Sequence, residues 1–315
     1  MKHKVAVIGA GYFGQRHIQI LSQMPDVEIT GIVDTDINRA REIAEEYGLK
    51  YFDSYRYLLN SASVFFIVTP TNTHFDIAMD LVKKGKDLFI EKPLTERPEL
   101  AMNFIKEAMN NNIIFQVGMI ERYNPAVMTL LGYVDNPIFI KAERSSPFLG
   151  RATDTDVSFD LMIHDLDLLW MILKKAGTLK IEHLKVFKKS LVTEKIDFAA
   201  VWIDLLSNNI PVTANLTASR ISSNFRRVFM IIQEKFLLHA DLMNRTVIRV
   251  DRDGKLREIP VRKKDVQPLY NEIRDFLNSV RERRLSSHAP TAEEIIEVLD
   301  IINTINGGNP DETIY

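Results

Sequence analysis

A chain of 315 residues that is 46% apolar and 26% charged has the composition of a globular protein long enough for two domains. Its 40 basic and 42 acidic residues leave a formal charge of −2, so no global field draws it to nucleic acid or to an anionic membrane, and any anion site must be local. The lack of cysteine excludes disulfides, thiolate metal sites and cysteine nucleophiles.

The opening Met1-Lys2-His3-Lys4 is basic, but the apolar run Val5–Ile8 meets a glycine-rich turn at once, unlike a secretory signal peptide. No stretch approaches the roughly 20 apolar residues of a membrane span. A cytoplasmic protein is expected. From residue 4 to about 118, short apolar runs alternate with longer amphipathic segments. Strands are predicted at Lys4–Ile8, Val27–Val33, Val64–Val68, Leu88–Ile90 and Ile113–Val117. Helices are predicted around Phe13–Gln23, Asn38–Tyr47, Phe75–Lys84 and Pro98–Asn110. Crossovers of this kind make a mainly parallel, doubly wound α/β sheet covered on both faces.

After Asn124-Pro125 the pattern changes to one helix, a polar loop near Ser145–Asp156 and a strongly apolar helix near Phe159–Leu173. Strands follow at Phe198–Leu206, Val212–Ala218, Arg227–Gln233 and Val247–Val250, with turns at Asn208-Asn209 and Asp253-Gly254 that suit an antiparallel sheet. Helices at about Leu269–Arg283 and Ala292–Ile305 close the chain. The expected organisation is a dinucleotide-binding Rossmann domain over 1–120 and an α+β substrate and oligomerisation domain over 121–315. Whether the C-terminal helices pack back on the first domain is left open.

Gly9-Ala10-Gly11-Tyr12-Phe13-Gly14 fits Gly-x-Gly-x-x-Gly, directly after a predicted strand and at the mouth of a helix. Gly9 permits the tight turn, Gly11 lets a pyrophosphate approach the backbone, and Gly14 allows close helix–strand packing. Asp34 ends the second predicted strand, where a carboxylate accepts the ribose hydroxyls of NAD and repels the extra phosphate of NADP. Thr35 and Asp36 follow it rather than a basic residue, which argues for NAD.

Glu91-Lys92-Pro93 lies at the carboxyl edge of the sheet, where open α/β folds place their ligands. Lys92 is there either a proton donor or acceptor beside the nicotinamide, or a solvated loop lysine. Asp160 and His164, spaced i and i+4, share one face of the apolar helix, and Asp167 is close to that face. Charges in such a helix need partners or a ligand-lined cavity, so Asp165, Asp167 and His164 can equally be satisfied core groups. The seven histidines show no close paired spacing typical of zinc, so no metal is expected.

Gly9-x-Gly11-x-x-Gly14, Thr69-Pro70-Thr71-Asn72-x-His74, Glu91-Lys92-Pro93 and Asp160-x-x-x-His164-x-x-Asp167 together resemble the Gfo/Idh/MocA family of sugar and polyol oxidoreductases. The resemblance covers nearly the whole chain. It implies that Lys92, Asp160 and His164 frame the reacting carbinol. It also implies that Tyr12, Phe13, Thr69, Pro70, Asn72, His74, Glu91 and Lys92 join the glycines and Asp34 around the cofactor, although His74 can instead serve its own helix. Val117–Ala126 and Arg151–Val157 resemble the members that oxidise the 3-hydroxyl of UDP-N-acetylglucosamine, including those preparing an amino sugar for lipid A. Met162 departs from the family pattern, standing where many members have glycine. A nucleotide-sugar diphosphate asks for guanidiniums, and Arg122, Arg144, Arg151 and Arg220 are the candidates, with Tyr123 and Asn124 beside the first. Two alternatives remain: oxidation of a free polyol or sugar such as inositol or glucose, and a catalytically silent dinucleotide-binding regulator. Family analogy implies a homodimer or homotetramer packed through the C-terminal sheet.

Overall fold

The computed structural model describes residues 2–150, 153–174, 179–262 and 267–307 and the backbone of 313–314. The chain divides into two compact units. Unit 1 comprises the residues up to Met119 together with Leu269–Ala292; unit 2 comprises Ile120–Pro268 and the residues from Glu293 onward.

Unit 1 alternates strands and helices in the order β1 (His3–Ile8), α1 (Tyr12–Ser22), β2 (Val27–Val33), α2 (Ile37–Tyr47), β3 (Tyr51–Phe52), β4 (Val64–Ile67), α3 (Thr71–Val82), β5 (Asp87–Glu91), α4 (Pro98–Asn110) and β6 (Phe115–Gly118). The sheet runs β3-β2-β1-β4-β5-β6, with every pairing parallel. This is the doubly wound order whose switch point lies between β1 and β4. Its central strands are apolar on both faces because both are covered; Val5, Ala6, Val7 and Val64–Ile67 are all fully buried. The one strand not predicted is β3, a two-residue edge piece too short to carry a pattern.

In unit 2 a 3₁₀ turn (Ile120–Tyr123) leads to α5 (Pro125–Leu131) and β7 (Pro137–Ser145). A π-helical turn (Ser158–Met162) runs directly into α6 (Ile163–Lys174), followed by β8 (Leu179–Lys189), β9 (Phe198–Ser207) and β10 (Ile210–Ser219). After these come β11 (Arg226–Gln233), β12 (Phe236–Asp241), β13 (Thr246–Asp251) and β14 (Leu256–Ile259). The predicted single helix over Phe159–Leu173 is thus two pieces, because one turn of i→i+5 bonding has the same apolar content as one turn of α-helix.

The chain closes with α7 (Pro268–Glu282), α8 (Ala292–Gly307) and β15 (Thr313–Ile314). Ile273, Phe276, Leu277 and Val280 of α7, spaced for one helical face, pack into the unit 1 core. The Phe276 ring lies 5.6 Å from those of Phe66 and Phe89. Burying one such ring stabilises by about 1.5–3 kcal/mol.

The sheet of unit 2 has nine strands in the order β14-β13-β12-β11-β7-β10-β9-β8-β15. It is antiparallel except for β7 beside β10. One face is apolar and buried, as in β9, where Ala199, Val201, Ile203 and Leu205 point inward while Trp202 and Asp204 face solvent. The helix α6 is buried nearly all round. No helix among the described residues is long and apolar enough to cross a membrane.

Candidate active site

In unit 1 the glycine loop joins β1 to α1. Gly9 has φ +100°, and a Cβ there would stand 2.4 Å from the Val68 carbonyl oxygen; a Cβ on Gly14 would stand 2.0 Å from that of Gly9. Both positions are therefore closed to any side chain. Gly11 differs, since a Cβ built on it meets nothing within 4 Å. It is the N-cap of α1 and gives that helix no side-chain cap. Open space above Gly11 and uncapped N–H groups behind it form a place for a phosphate. Tyr12 and Phe13 flank it, both exposed and in edge contact at 5.4 Å.

Asp34 follows β2. Its Oδ2 accepts from Ala10 N at 2.8 Å and its Oδ1 from Asp36 N at 2.9 Å, so the carboxylate ties the glycine loop to the start of α2. A carboxylate has further lone pairs, and these remain for ribose hydroxyls.

Thr69 and Pro70 follow β4, with Asn72 exposed in the first turn of α3. His74 does not reach outward. Its ring is buried, with Nδ1 2.8 Å from the Pro93 carbonyl oxygen and Nε2 2.8 Å from that of Thr69. The ring thus ties the loop after β4 to the loop after β5.

Glu91 ends β5 and Lys92 follows it, half-buried. His17, fully buried on α1, stands with Nε2 2.8 Å from Glu91 Oε1 and between the rings of Phe66 and Phe89. The other ring nitrogen, Nδ1, is buried with no hydrogen-bond partner among the described residues, and because a carboxylate only accepts, Nε2 is the nitrogen that donates to Glu91. Burial pushes the Glu91 carboxyl up, but the hydrogen bond from His17 and the charge of Lys92 outweigh it and hold the carboxyl below its ordinary range. Sequence reasoning missed His17; its one signal was a polar residue on the buried face of α1.

In unit 2, Asp160 sits in the π turn, partly buried, and His164 in the first turn of α6, 9% exposed. A π turn inside a helix is a frequent mark of a functional site. The segment leading into it is anchored: Asp156 Oδ1 accepts from Ile196 N at 2.8 Å, and Ser158 Oγ donates to Asn306 Oδ1 at 2.7 Å.

Three of the arginines expected to grip a diphosphate, Arg122, Arg144 and Arg220, are engaged within unit 2. Arg122 is 1% exposed; its Nε and Nη2 donate to Asp167 at 2.7–3.0 Å and its Nη2 also to Glu294 at 3.0 Å. Arg144, equally buried, pairs with Glu121 and Asp165, each at 2.8 Å. Burial alone would weaken these guanidiniums' hold on their protons, but the facing carboxylates reverse that and raise both above the ordinary arginine value. Asn124 is consumed as well: Oδ1 caps α5 through Ala126 N, and Nδ2 donates to Glu121 and to the Leu242 carbonyl. Tyr123 is buried beside it. Arg122, Asn124 and Arg144, expected at the substrate, thus hold the internal framework of unit 2, with Tyr123 buried among them. Arg220 is buried too, donating to the Thr155 carbonyl at 2.7 Å, and Arg151 lies outside the described residues.

Residues 3–119 match the model of the Gfo/Idh/MocA oxidoreductase family, NAD-binding Rossmann fold. The chain is 34% identical over 290 residues to a UDP-N-acetylglucosamine 3-dehydrogenase of Acidithiobacillus ferrooxidans, an alignment covering 89% of this chain and 90% of that protein. It is 27% identical to a scyllo-inositol 2-dehydrogenase (NAD(+)) of Bacillus subtilis, over 70% of this chain and 69% of that one. The solved structure of UDP-N-acetylglucosamine 3-dehydrogenase GnnA from A. ferrooxidans superposes with a TM-score of 0.88 at 30% identity, covering 98% of this chain and 97% of the other.

Proposed function

The chain belongs to the Gfo/Idh/MocA family of NAD-binding oxidoreductases, and on that premise we propose that it oxidises the 3-hydroxyl of UDP-N-acetylglucosamine to the ketone, with NAD as oxidant. The observation that carries the reading is likeness over almost the full length, at 34% identity, to a protein named for that reaction. The open space above Gly11, the uncapped start of α1 and the carboxylate of Asp34 fit the pyrophosphate and adenosine ribose of NAD. Bound there, the dinucleotide supplies the hydride acceptor.

The chain's own residues supply the proton chemistry. Lys92 or His164 takes the hydroxyl proton as the carbinol hydrogen departs, and Asp160 orients His164 or the sugar. The neutral ketone product leaves that proton on the base. With Arg122 and Arg144 committed elsewhere, Arg151 keeps the proposed part of holding the diphosphate.

Substrate truncation tests the reading. NADH formation followed at 340 nm should give a kcat/KM for UDP-N-acetylglucosamine about 10³-fold or more above those for N-acetylglucosamine and inositol, since remote binding energy is spent on the reacting centre. The inositol dehydrogenase likeness makes the free polyol the competing substrate. Equal values for inositol would install that reading instead. Tight NAD binding with no turnover across the panel would point to the silent regulator.

We also infer a homo-oligomer formed through the solvent face of the nine-stranded sheet. There Trp202 is 50% exposed, and Phe139, Met230 and Ile232 share the face with it. An apolar surface of this kind is ordinarily covered. Sedimentation should return a dimer or tetramer that Trp202→Glu shifts toward monomer; a monomer in the unaltered protein would contradict the inference.

A further inference from the structure

Asn306, in the last turn of α8, reaches back to the segment that starts the π turn. Its Oδ1 accepts from Ser158 Oγ at 2.7 Å and its Nδ2 donates to Asp156 Oδ2 at 3.3 Å. The backbone behind it is held in turn. Lys188 Nζ donates to the carbonyl oxygens of Ile305 and Asn306 at 2.9 and 2.6 Å, so a cation closes the end of α8. The same segment is tied on its other side, through Val157 N to the Ile196 carbonyl at 2.8 Å, Ile196 N to Asp156 Oδ1 at 2.8 Å and Arg220 Nη2 to the Thr155 carbonyl at 2.7 Å. Ser158 is fully buried, and Asn306 gives its hydroxyl the acceptor that a buried polar group requires.

These ties end where a rare geometry begins. A turn of i→i+5 bonds is uncommon beside its α-helical alternative, so its surroundings must specify it. Closing the turn to α geometry would expel one residue and swing Asp160 relative to His164 by about 100°, the step of one residue in an α-helix. Val157, at the N-cap position of the turn, offers no side-chain hydrogen bond, and the nearest side-chain hold on its first residue comes from α8. We propose that Asn306 is a positioning residue that keeps the wide turn open and so sets Asp160 in register with His164. The inference rests on the reading of those two residues as partners in the oxidation. Asn306 acts on them through Ser158 and Asp156, by one bond it accepts and one it donates, and an amide is the side chain that can do both.

The test is an exchange of side chains measured on the full chain. Asn306→Asp keeps an oxygen for Ser158 Oγ but sets a second carboxylate against Asp156 Oδ2. With NAD and UDP-N-acetylglucosamine, kcat should fall about 10- to 100-fold, the cost of a misplaced reacting group, while NAD affinity stays within about threefold. Adding Asp156→Asn reverses donor and acceptor across the same contact and leaves an oxygen for Ile196 N, so kcat should return to within about threefold of the unaltered chain. In a His164→Ala background, Asn306→Asp should cost less than about threefold, because the register it disturbs serves His164. An unchanged kcat, a loss that Asp156→Asn does not recover, or a loss that persists in full without His164 overturns the proposal. If Asn306→Asp melts early, Ser158→Ala removes the 2.7 Å bond from its other end and must lower kcat in the same way. If the unaltered protein turns over no substrate, the proposed function fails first and hydrogen exchange decides the positioning alone: the amides of Asp160–His164 should exchange about tenfold or more faster in Asn306→Asp, and equal rates overturn the proposal.

Discussion

Arg122→Met should destabilise unit 2 by about 3–5 kcal/mol, a large loss for a single substitution. Methionine fills much of the same volume, so packing is not the reason. The substitution strands Asp167 and Glu294, 2% and 8% exposed, without the cation that both face. A buried carboxylate with no partner costs several kcal/mol, whereas the complete pair breaks roughly even with an apolar substitute. Arg122→Met combined with Asp167→Leu should therefore recover part of the loss. Arg122→Lys should fall between, because an ammonium keeps the charge but not the fork that meets Asp167 through Nε and Nη2. Thermal and urea denaturation check this. A loss below about 1 kcal/mol, the range of exposed pairs, would mean that water reaches the cluster.

Lys92→Ala should lower kcat with UDP-N-acetylglucosamine about 10²- to 10⁴-fold, the usual contribution of a positioned proton acceptor. The surrounding structure gives the lysine a defined place. His74 contacts the carbonyl of Pro93, and Glu91 Oε2 accepts from Lys92 N at 3.3 Å. Removal of the amine leaves these ties in place, so NAD affinity should stay within about threefold while turnover collapses, the signature of an interaction made in the transition state. A parallel rise in the NAD dissociation constant would recast Lys92 as a cofactor ligand. Unchanged turnover would remove it from the chemistry.

Unit 1 was legible from sequence because its signals are local and agree with one another. The strands are apolar runs bounded by turns, and the glycines occupy successive positions whose steric demands the structure bears out at Gly9 and Gly14. Asp34 was likewise readable by its distance from the loop. Unit 2 was legible only in part. β7 escaped notice because Lys141, Glu143 and Arg144 interrupt its apolar pattern, and Arg144 is there to meet Glu121 and Asp165. The internal pairing of Arg122 escaped notice for a related reason. Arg122 is 45 positions from Asp167 and 172 from Glu294, and nothing local shows that a guanidinium is already spent. The π turn is invisible to periodicity, since one added residue in one turn leaves the same apolar composition. His74 was open to two readings, and the backbone carbonyls on both sides of its ring supplied a third.

We propose that Lys92 and His164 serve the same hydroxyl. A double-mutant cycle tests it most directly, with kcat measured for Lys92→Ala, His164→Ala and the combination under saturating NAD and UDP-N-acetylglucosamine. Groups that act as a unit are strongly non-additive, so the double variant should be no more than about threefold slower than the slower single variant. Losses that simply multiply would show two independent contributions and contradict a shared hydroxyl.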